Sequence, residues 1–412
     1  MRKILYMSAA PIVLALAACG SSDNDADQPV AEATPSEPEN AADAMASRDP
    51  APGEQAPEEY SDDKERPIMH AQVVLDRLGF SPGVVDGKMG LSTENALVAY
   101  QKSQGLEETG EYDDATKQSI SQYSNITATR IVTIPEDFAV GRFEKIPDDP
   151  QEQAKLQKMG YESLDEKLAE RFHTTIETLK ELNPNGQPAG MQTASSDGTM
   201  ATPSPTASAS PTPTPTPTPS ASGSTAAKPG PKSVFAAGQK IRVPNIGADF
   251  ISASADVDST WKETLRTLGV GSDQPKAARL VGDESDKTLY VYDDADKLIA
   301  AYTITSGSSN DPLPVGEWGI TGVGKNPPFS YDPDLFWDVP DSNPDVQLPP
   351  GPNGPVGVVW IDLTKEHYGI HGTPEPETIG RAQSHGCVRL TNWDAARLAQ
   401  MVSTNTKVVF QK

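Results

Sequence analysis

Ser384-His385-Gly386-Cys387-Val388-Arg389-Leu390, with His371-Gly372-Thr373 a short way upstream, is the stretch on which the reading of this 412-residue chain turns. It puts a thiol, two imidazoles, a glycine and a guanidinium close together near the C-terminus. The chain has 2 cysteines; Cys19 has a separate explanation below, so Cys387 is the thiol left free. A cysteine attacks as its thiolate, and a neighbouring imidazole can create that anion by taking the proton. The inventory therefore suits acyl transfer through Cys387. Bland readings stand beside this one: an inert buried cysteine, hydrogen-bonded core histidines at 371 and 385, and a surface ion pair at Arg389. Zinc ligation by His371, His385 and Cys387 matches no four-ligand structural pattern, and the chemistry calls for no metal or cofactor. His70, His173 and His367 read as structural.

The surrounding sequence reads as strands. Leu289-Tyr290-Val291-Tyr292 and Leu298 to Ile304 flank an Asp-rich turn at 293–296, a hairpin signature. Pro314-Val315-Gly316 leads into a further strand, 356–363 and 368–370 add β-rich runs, and Val408-Val409-Phe410 closes the chain. Thr391 with Asp394 three residues on starts a helix through Leu398 and Met401. The expected fold of 277–412 is a mainly antiparallel β sandwich with one late helix.

His371-Gly372-Thr373, the SerHisGlyCys turn, the helix after it and the hairpin ahead of it together resemble the L,D-transpeptidase (YkuD) catalytic domain over 277–412. The resemblance implies Cys387 as nucleophile, His371 as base and the Gly372 carbonyl as the group orienting that imidazole. It places backbone N–H groups near His385, Gly386 and Cys387 at the developing oxyanion, where losing one donor costs about 3 kcal/mol. His385 assists there or stabilises the thiolate, and Gly386 lets backbone approach substrate closely. Arg389 offers a fork for a substrate carboxylate; Ser384, grouped with it on the substrate side, suits shaping the turn. The implied substrate is a peptidoglycan stem peptide, attacked at its third residue.

Two more modules precede this domain. Leu75-Leu78-Gly79-Phe80, Val85-Asp86-Gly87, Thr93, Tyr100-Gln101 and Gly105-Leu106 resemble a three-helix peptidoglycan-binding domain over 67–121, with Ser92 and Thr93 as expected caps of its second helix. Leu164, Leu168, Ala169 and Phe172, then Ile176, Leu179, Leu182 and Asn183-Pro184, then Gly238 to Pro244, resemble a LysM-type module over 142–246. A Pro/Thr-rich insertion at 186–233 interrupts it; alternating prolines favour extended polyproline II at about 3.1 Å per residue. A plain structural spacer is the alternative for the LysM-like unit.

The N-terminus has a basic start and an apolar run from Ile4 to Ala18, the form of a signal peptide over 1–18. Leu16-Ala17-Ala18-Cys19 resembles a bacterial lipobox, which implies lipidation at Cys19, a lipid anchor and the periplasmic face of the outer membrane. The run is too short to span, since a spanning helix needs about 20 residues. Residues 19–62, rich in Asp, Glu, Pro and Ala, read as a disordered tether. A net charge of −24 makes nucleic acid a poor partner. The leading expectation is a wall-remodelling enzyme whose tethered modules raise the local concentration of polymer, with an envelope protein among the candidate acceptors. The rival is a non-catalytic wall-binding lipoprotein.

Overall fold

The computed structural model describes residues 64–190, 228–247, 251–252, 255, 257–333, 344–384 and 386–412. The signal peptide, Cys19, the tether, 191–227 of the insertion and His385 lie outside the described residues.

The chain opens with helix α1 (Pro67–Arg77), whose proline occupies the first turn, where no N–H is missed. Gly79, at φ +89°, turns the backbone into a two-residue strand, β1 (Phe80–Ser81). Helix α2 (Leu91–Gln104) follows, starting after Gly90 without a side-chain cap. Ser92 and Thr93, the expected caps, lie inside the first turn instead. Thr93 is otherwise engaged: its Oγ1 accepts from Gln72 Nε2 at 3.0 Å. Helix α3 (Asp114–Ile120) is capped by Asp113, which accepts from the Thr116 N–H. Two buried glutamines close the turns. Gln72 donates to Asp86 Oδ1 and accepts from the Gly87 N–H, while Gln101 donates to Thr109 and Thr116 and accepts from the Gly110 N–H.

A strand–helix–helix–strand unit comes next: β2 (Thr129–Thr133), α4 (Leu164–Arg171), α5 (Ile176–Leu182) and β3 (Lys240–Pro244). Ser163 and Thr175 cap the helices. Strands β2 and β3 pair antiparallel, with Ile131 opposite Arg242. The partner of the closing strand therefore lies upstream of residue 142, where the sequence reading begins this module. Helix α6 (Ser259–Leu268) is capped by Asp258 and ended by Gly269 in the left-handed region. It buries Trp261, Leu265 and Leu268.

Residues 279–412 add β4 (Arg279–Asp283), β5 (Thr288–Tyr292), β6 (Leu298–Thr303), β7 (Thr305–Ser306), β8 (Gly316–Lys325), β9 (Phe329–Tyr331), β10 (Val346–Leu348), β11 (Val359–Leu363), β12 (Gly369–His371), β13 (Val388–Arg389), helix α7 (Asn392–Met401) and β14 (Lys407–Gln411). The expected sandwich is one continuous ten-stranded sheet, ordered β1-β6-β5-β4-β14-β8-β11-β12-β13-β7. Most pairs are antiparallel; β14 with β4, β12 with β13 and β1 with β6 are parallel. Strand β1 belongs to the N-terminal helical unit, so that unit extends the sheet.

Both faces of the β4–β6 region are buried. Leu280, Leu289, Val291, Ala300 and Tyr302 pack in a core with α6 and α7. The alternate residues Val281, Tyr290, Leu298 and Ala301 pack in a second core with Val74, Leu75, Leu97 and Tyr100 of the helical unit. The run Leu298 to Tyr302 is apolar without alternation for this reason: each face meets its own layer. Expected as tethered modules, the units share cores and hydrogen bonds. His173, after α4, sets its ring on Trp393 of α7 with centroids 4.9 Å apart, and meets Asp76 of α1 at 3.1 Å through Nδ1.

Candidate active site

Two short parallel strands carry the site. In β12 and β13, Ile370 stands opposite Val388 and His371 opposite Arg389. Counting back one residue puts Cys387 beside Gly369, and strand alternation turns Cys387, Arg389 and His371 to one face. The Leu390 N–H donates to the His371 carbonyl at 2.8 Å, holding the strands together past the site.

His371 is buried and stacks on Trp360, its cross-strand neighbour, with centroids 5.5 Å apart and planes at 22°. Its Nδ1 lies 2.7 Å from the Gly372 carbonyl. A carbonyl only accepts, so Nδ1 carries the proton and Nε2 keeps the lone pair. Burial pushes the imidazole down to about 4, and the Arg389 charge adds to this against the Gly372 hydrogen bond. The ring is therefore neutral at neutral pH, with a free lone pair on Nε2.

The Cys387 thiol is half-buried and lies 3.7 Å from the His367 carbonyl, to which it donates. Burial pushes its pKa up; a hydrogen bond from the Gly369 backbone and the Arg389 charge pull it down, while Asp311 raises it. Thiol and imidazole are thus both neutral at rest, and ionisation of the sulfur waits for the proton to be taken.

The turn is held from several sides. Ser384 Oγ donates to the Cys387 carbonyl at 2.7 Å and its N–H to Gly307 at 3.1 Å, so this hydroxyl is committed to the turn. Gly386 has φ +94°, and a Cβ there would stand 2.6 Å from the Tyr368 ring; only glycine fits. The loop ahead of the turn is tied to the sheet through Gly380, whose N–H donates to Thr305 Oγ1 and whose carbonyl accepts from Lys287 Nζ. Cys387, His371, Gly372, Gly386, Arg389 and Ser384 are thus brought together. His385 and Cys19 lie outside the described residues.

Residues 277–410 match the L,D-transpeptidase catalytic domain, YkuD. Residues 65–120 match the family described as "Putative peptidoglycan binding domain". The chain is 34% identical over 130 residues to "Putative L,D-transpeptidase YkuD" of Bacillus licheniformis, covering 32% of this chain and 63% of that protein. It is 48% identical over 61 residues to the protein of the same name from Bacillus subtilis, covering 15% and 37%. It thus spans less than two thirds of the length of either relative. Among solved structures, an L,D-transpeptidase from Mycobacterium smegmatis is 24% identical with a TM-score of 0.28, covering 33% of this chain and 59% of that one.

Within residues 277–410, sequence reasoning passes over Asp311 and Asn392 and takes Tyr368 only as part of a β-rich run. The charge of Asp311 acts on both Cys387 and Tyr368, yet nothing local in the sequence marks it. Asn392 sits in the first turn of the helix that Thr391 caps, and nothing local marks it for more than that.

Proposed function

We propose that this chain is a cysteine-dependent L,D-transpeptidase of the bacterial cell wall. The observation that carries the reading is the pairing of Cys387 and His371 on one face of adjacent strands, with the His371 Nδ1–H given to Gly372 and Nε2 left as acceptor. Cys387 passes its proton to His371 Nε2 as sulfur attacks the carbonyl carbon of the third residue of a tetrapeptide stem. Backbone N–H groups at Gly386 and Cys387 meet the oxyanion, and His385 assists there. Collapse breaks the amide bond; the terminal D-alanine leaves with the proton from His371, and a thioester remains. An amine from a second stem then attacks that thioester and restores the thiol, giving a 3→3 crosslink. A D-amino acid, a lysine of an envelope protein, or water can take the amine's place. Arg389 binds a substrate carboxylate, its planar fork matching that group.

The accessory parts fit the same reading. The N-terminal helical unit binds peptidoglycan, and the strand–helix–helix–strand unit is LysM-like in its element order and antiparallel closing pair. Cys19 is the lipidation site of a signal-peptide-bearing lipoprotein that faces the periplasm from the outer membrane. The test is incubation of the purified protein with a carbapenem, followed by intact mass and muropeptide analysis of treated wall. The reading expects the drug's mass on Cys387, no adduct on Cys387→Ala, and new crosslinked or exchanged muropeptides. A wild-type protein that takes no adduct and leaves the wall unchanged is the wall-binding lipoprotein instead.

A further inference from the structure

Asn392, the first residue of α7, is wedged between Gly357, two residues ahead of β11, and Gly372, just past the end of β12. A Cβ on Gly372 would run into its Oδ1, and one on Gly357 would meet both that oxygen and the Gly372 backbone. Asn392 is fully buried, so its amide needs partners. Its Oδ1 accepts from the Val358 N–H at 3.2 Å, and its Nδ2 donates to the Pro352 carbonyl at 3.1 Å. The remaining Nδ2 proton goes to Glu170 Oε1 at 2.8 Å.

Glu170 comes from α4, in the upstream unit, 222 residues away in sequence. Its second oxygen accepts from Tyr161 OH at 2.7 Å. Burial pushes this carboxyl up to about 7, and the charge of Glu166 adds to that, while the Tyr161 and Asn392 hydrogen bonds hold it down. A charged group costs stability in such a place unless hydrogen-bonded. The Domain-matching part of the chain supplies neither Glu170 nor Tyr161. Two acceptors on Nδ2, the Pro352 carbonyl and Glu170, and the Val358 donor on Oδ1 leave one orientation for Asn392. In that orientation its side chain fills the space against Gly372, whose carbonyl holds the His371 ring.

Resting on the assignment of His371 as the catalytic base, we infer that Glu170 of the upstream unit is a positioning residue for that base, acting through Asn392 and Gly372. The upstream unit then completes the active site as well as any role in wall binding. With the carboxylate gone, the Asn392 amide loses the shortest of its three hydrogen bonds, Gly372 shifts, and the imidazole it holds moves with it.

The test uses the full chain with ¹⁵N-labelled histidine, observed at pH 8 so that Glu170 is ionised. The His371 Nδ1–H resonance, identified by its loss in His371→Gln, reports the Gly372 bond without reference to turnover. In Glu170→Ala that resonance broadens or moves, and kcat falls about tenfold or more at unchanged KM, since misplacing a catalytic group by 1 Å costs roughly 10²-fold. Glu170→Gln keeps an acceptor for Asn392 and restores both readouts. Glu170→Asp, one methylene shorter, carries the test should the alanine variant not fold. An unchanged resonance and kcat in a folded Glu170→Ala protein overturn the inference. If the resonance moves but the wild type itself shows no turnover, positioning stands and the transpeptidase reading fails.

Discussion

Asp76 and Arg397 form a two-pronged ion pair, Nη1 to Oδ1 at 3.0 Å and Nη2 to Oδ2 at 2.8 Å, in which the carboxylate has no exposure at all. Burial opposes the charge on Asp76, yet the Arg397 and His173 charges outweigh it and hold the carboxyl well below its usual range. Around the pair, Asp394 accepts from Ser81 Oγ at 2.8 Å and His173 Nε2 meets the Leu268 carbonyl at 2.8 Å. The N-terminal helical unit, the strand–helix–helix–strand unit and the helix behind the active site therefore meet at one buried polar cluster. Asp76→Asn is expected to lower stability by about 3–5 kcal/mol, the usual result of removing one member of a buried pair. Urea unfolding followed by tryptophan fluorescence measures it. The loss should appear in one shared transition, because the units share cores; two separated transitions would contradict this.

The pH dependence of turnover follows from two neutral groups at rest. His371, pushed down to about 4 by burial, must be unprotonated to take the thiol proton. Rate therefore falls only as pH drops through about 4, well below the 6.5 of an ordinary imidazole. Cys387 is raised above an ordinary thiol, so ionisation of the free enzyme's sulfur produces no fall across neutral pH. The expected kcat/KM profile is flat from mildly acidic to mildly alkaline pH. Arg389→Gln removes a positive charge that lowers both groups, so the acid limb and the alkylation midpoint of Cys387 should both move to higher pH. A limb near 6.5 in the wild type would mean that His371 is not the base.

Gly386→Ala tests the turn. The left-handed backbone at 386 and the Tyr368 ring 2.6 Å from the added methyl oblige the turn to move, and with it the N–H groups beside Cys387. Loss of an oxyanion donor costs about 10²–10³ in rate, so carbapenem acylation should slow by that order with the fold intact by circular dichroism. Acylation at the wild-type rate would remove Gly386 from the oxyanion site.

Much of this was legible. The hairpin of β5 and β6, the Thr391 cap of α7 and the closing strand β14 all follow from alternation, turn residues and a capping pair within a few positions of one another. Helix α6 carries the same kind of signal in Asp258, Trp261, Leu265, Leu268 and Gly269, though the reading passes over it. Strand β2 is five residues of mixed character whose partner is over a hundred residues downstream, and nothing local marks it. Distance in sequence also hid the site's supports: Asp76 to Arg397 and Glu170 to Asn392 are paired only by tertiary structure. One clue was available. The unbroken apolar run Leu298 to Tyr302 belongs to a strand covered on both faces, which asks for a second layer that residues 277–412 do not contain.

The same missing layer decides how a fragment of residues 277–412 should behave. Without the helical unit, Val281, Tyr290, Leu298 and Ala301 lose the layer that buries them, and β6 loses its partner β1. An uncovered apolar face beside an open strand edge is an association site. Arg397 also loses its Asp76 partner in the fragment. The fragment should therefore elute as aggregates and bind 1-anilinonaphthalene-8-sulfonate, whereas 64–412 elutes as a discrete species. A fragment that elutes as a monomer with the thermal midpoint of the longer chain would show that the N-terminal layer is dispensable to the sheet.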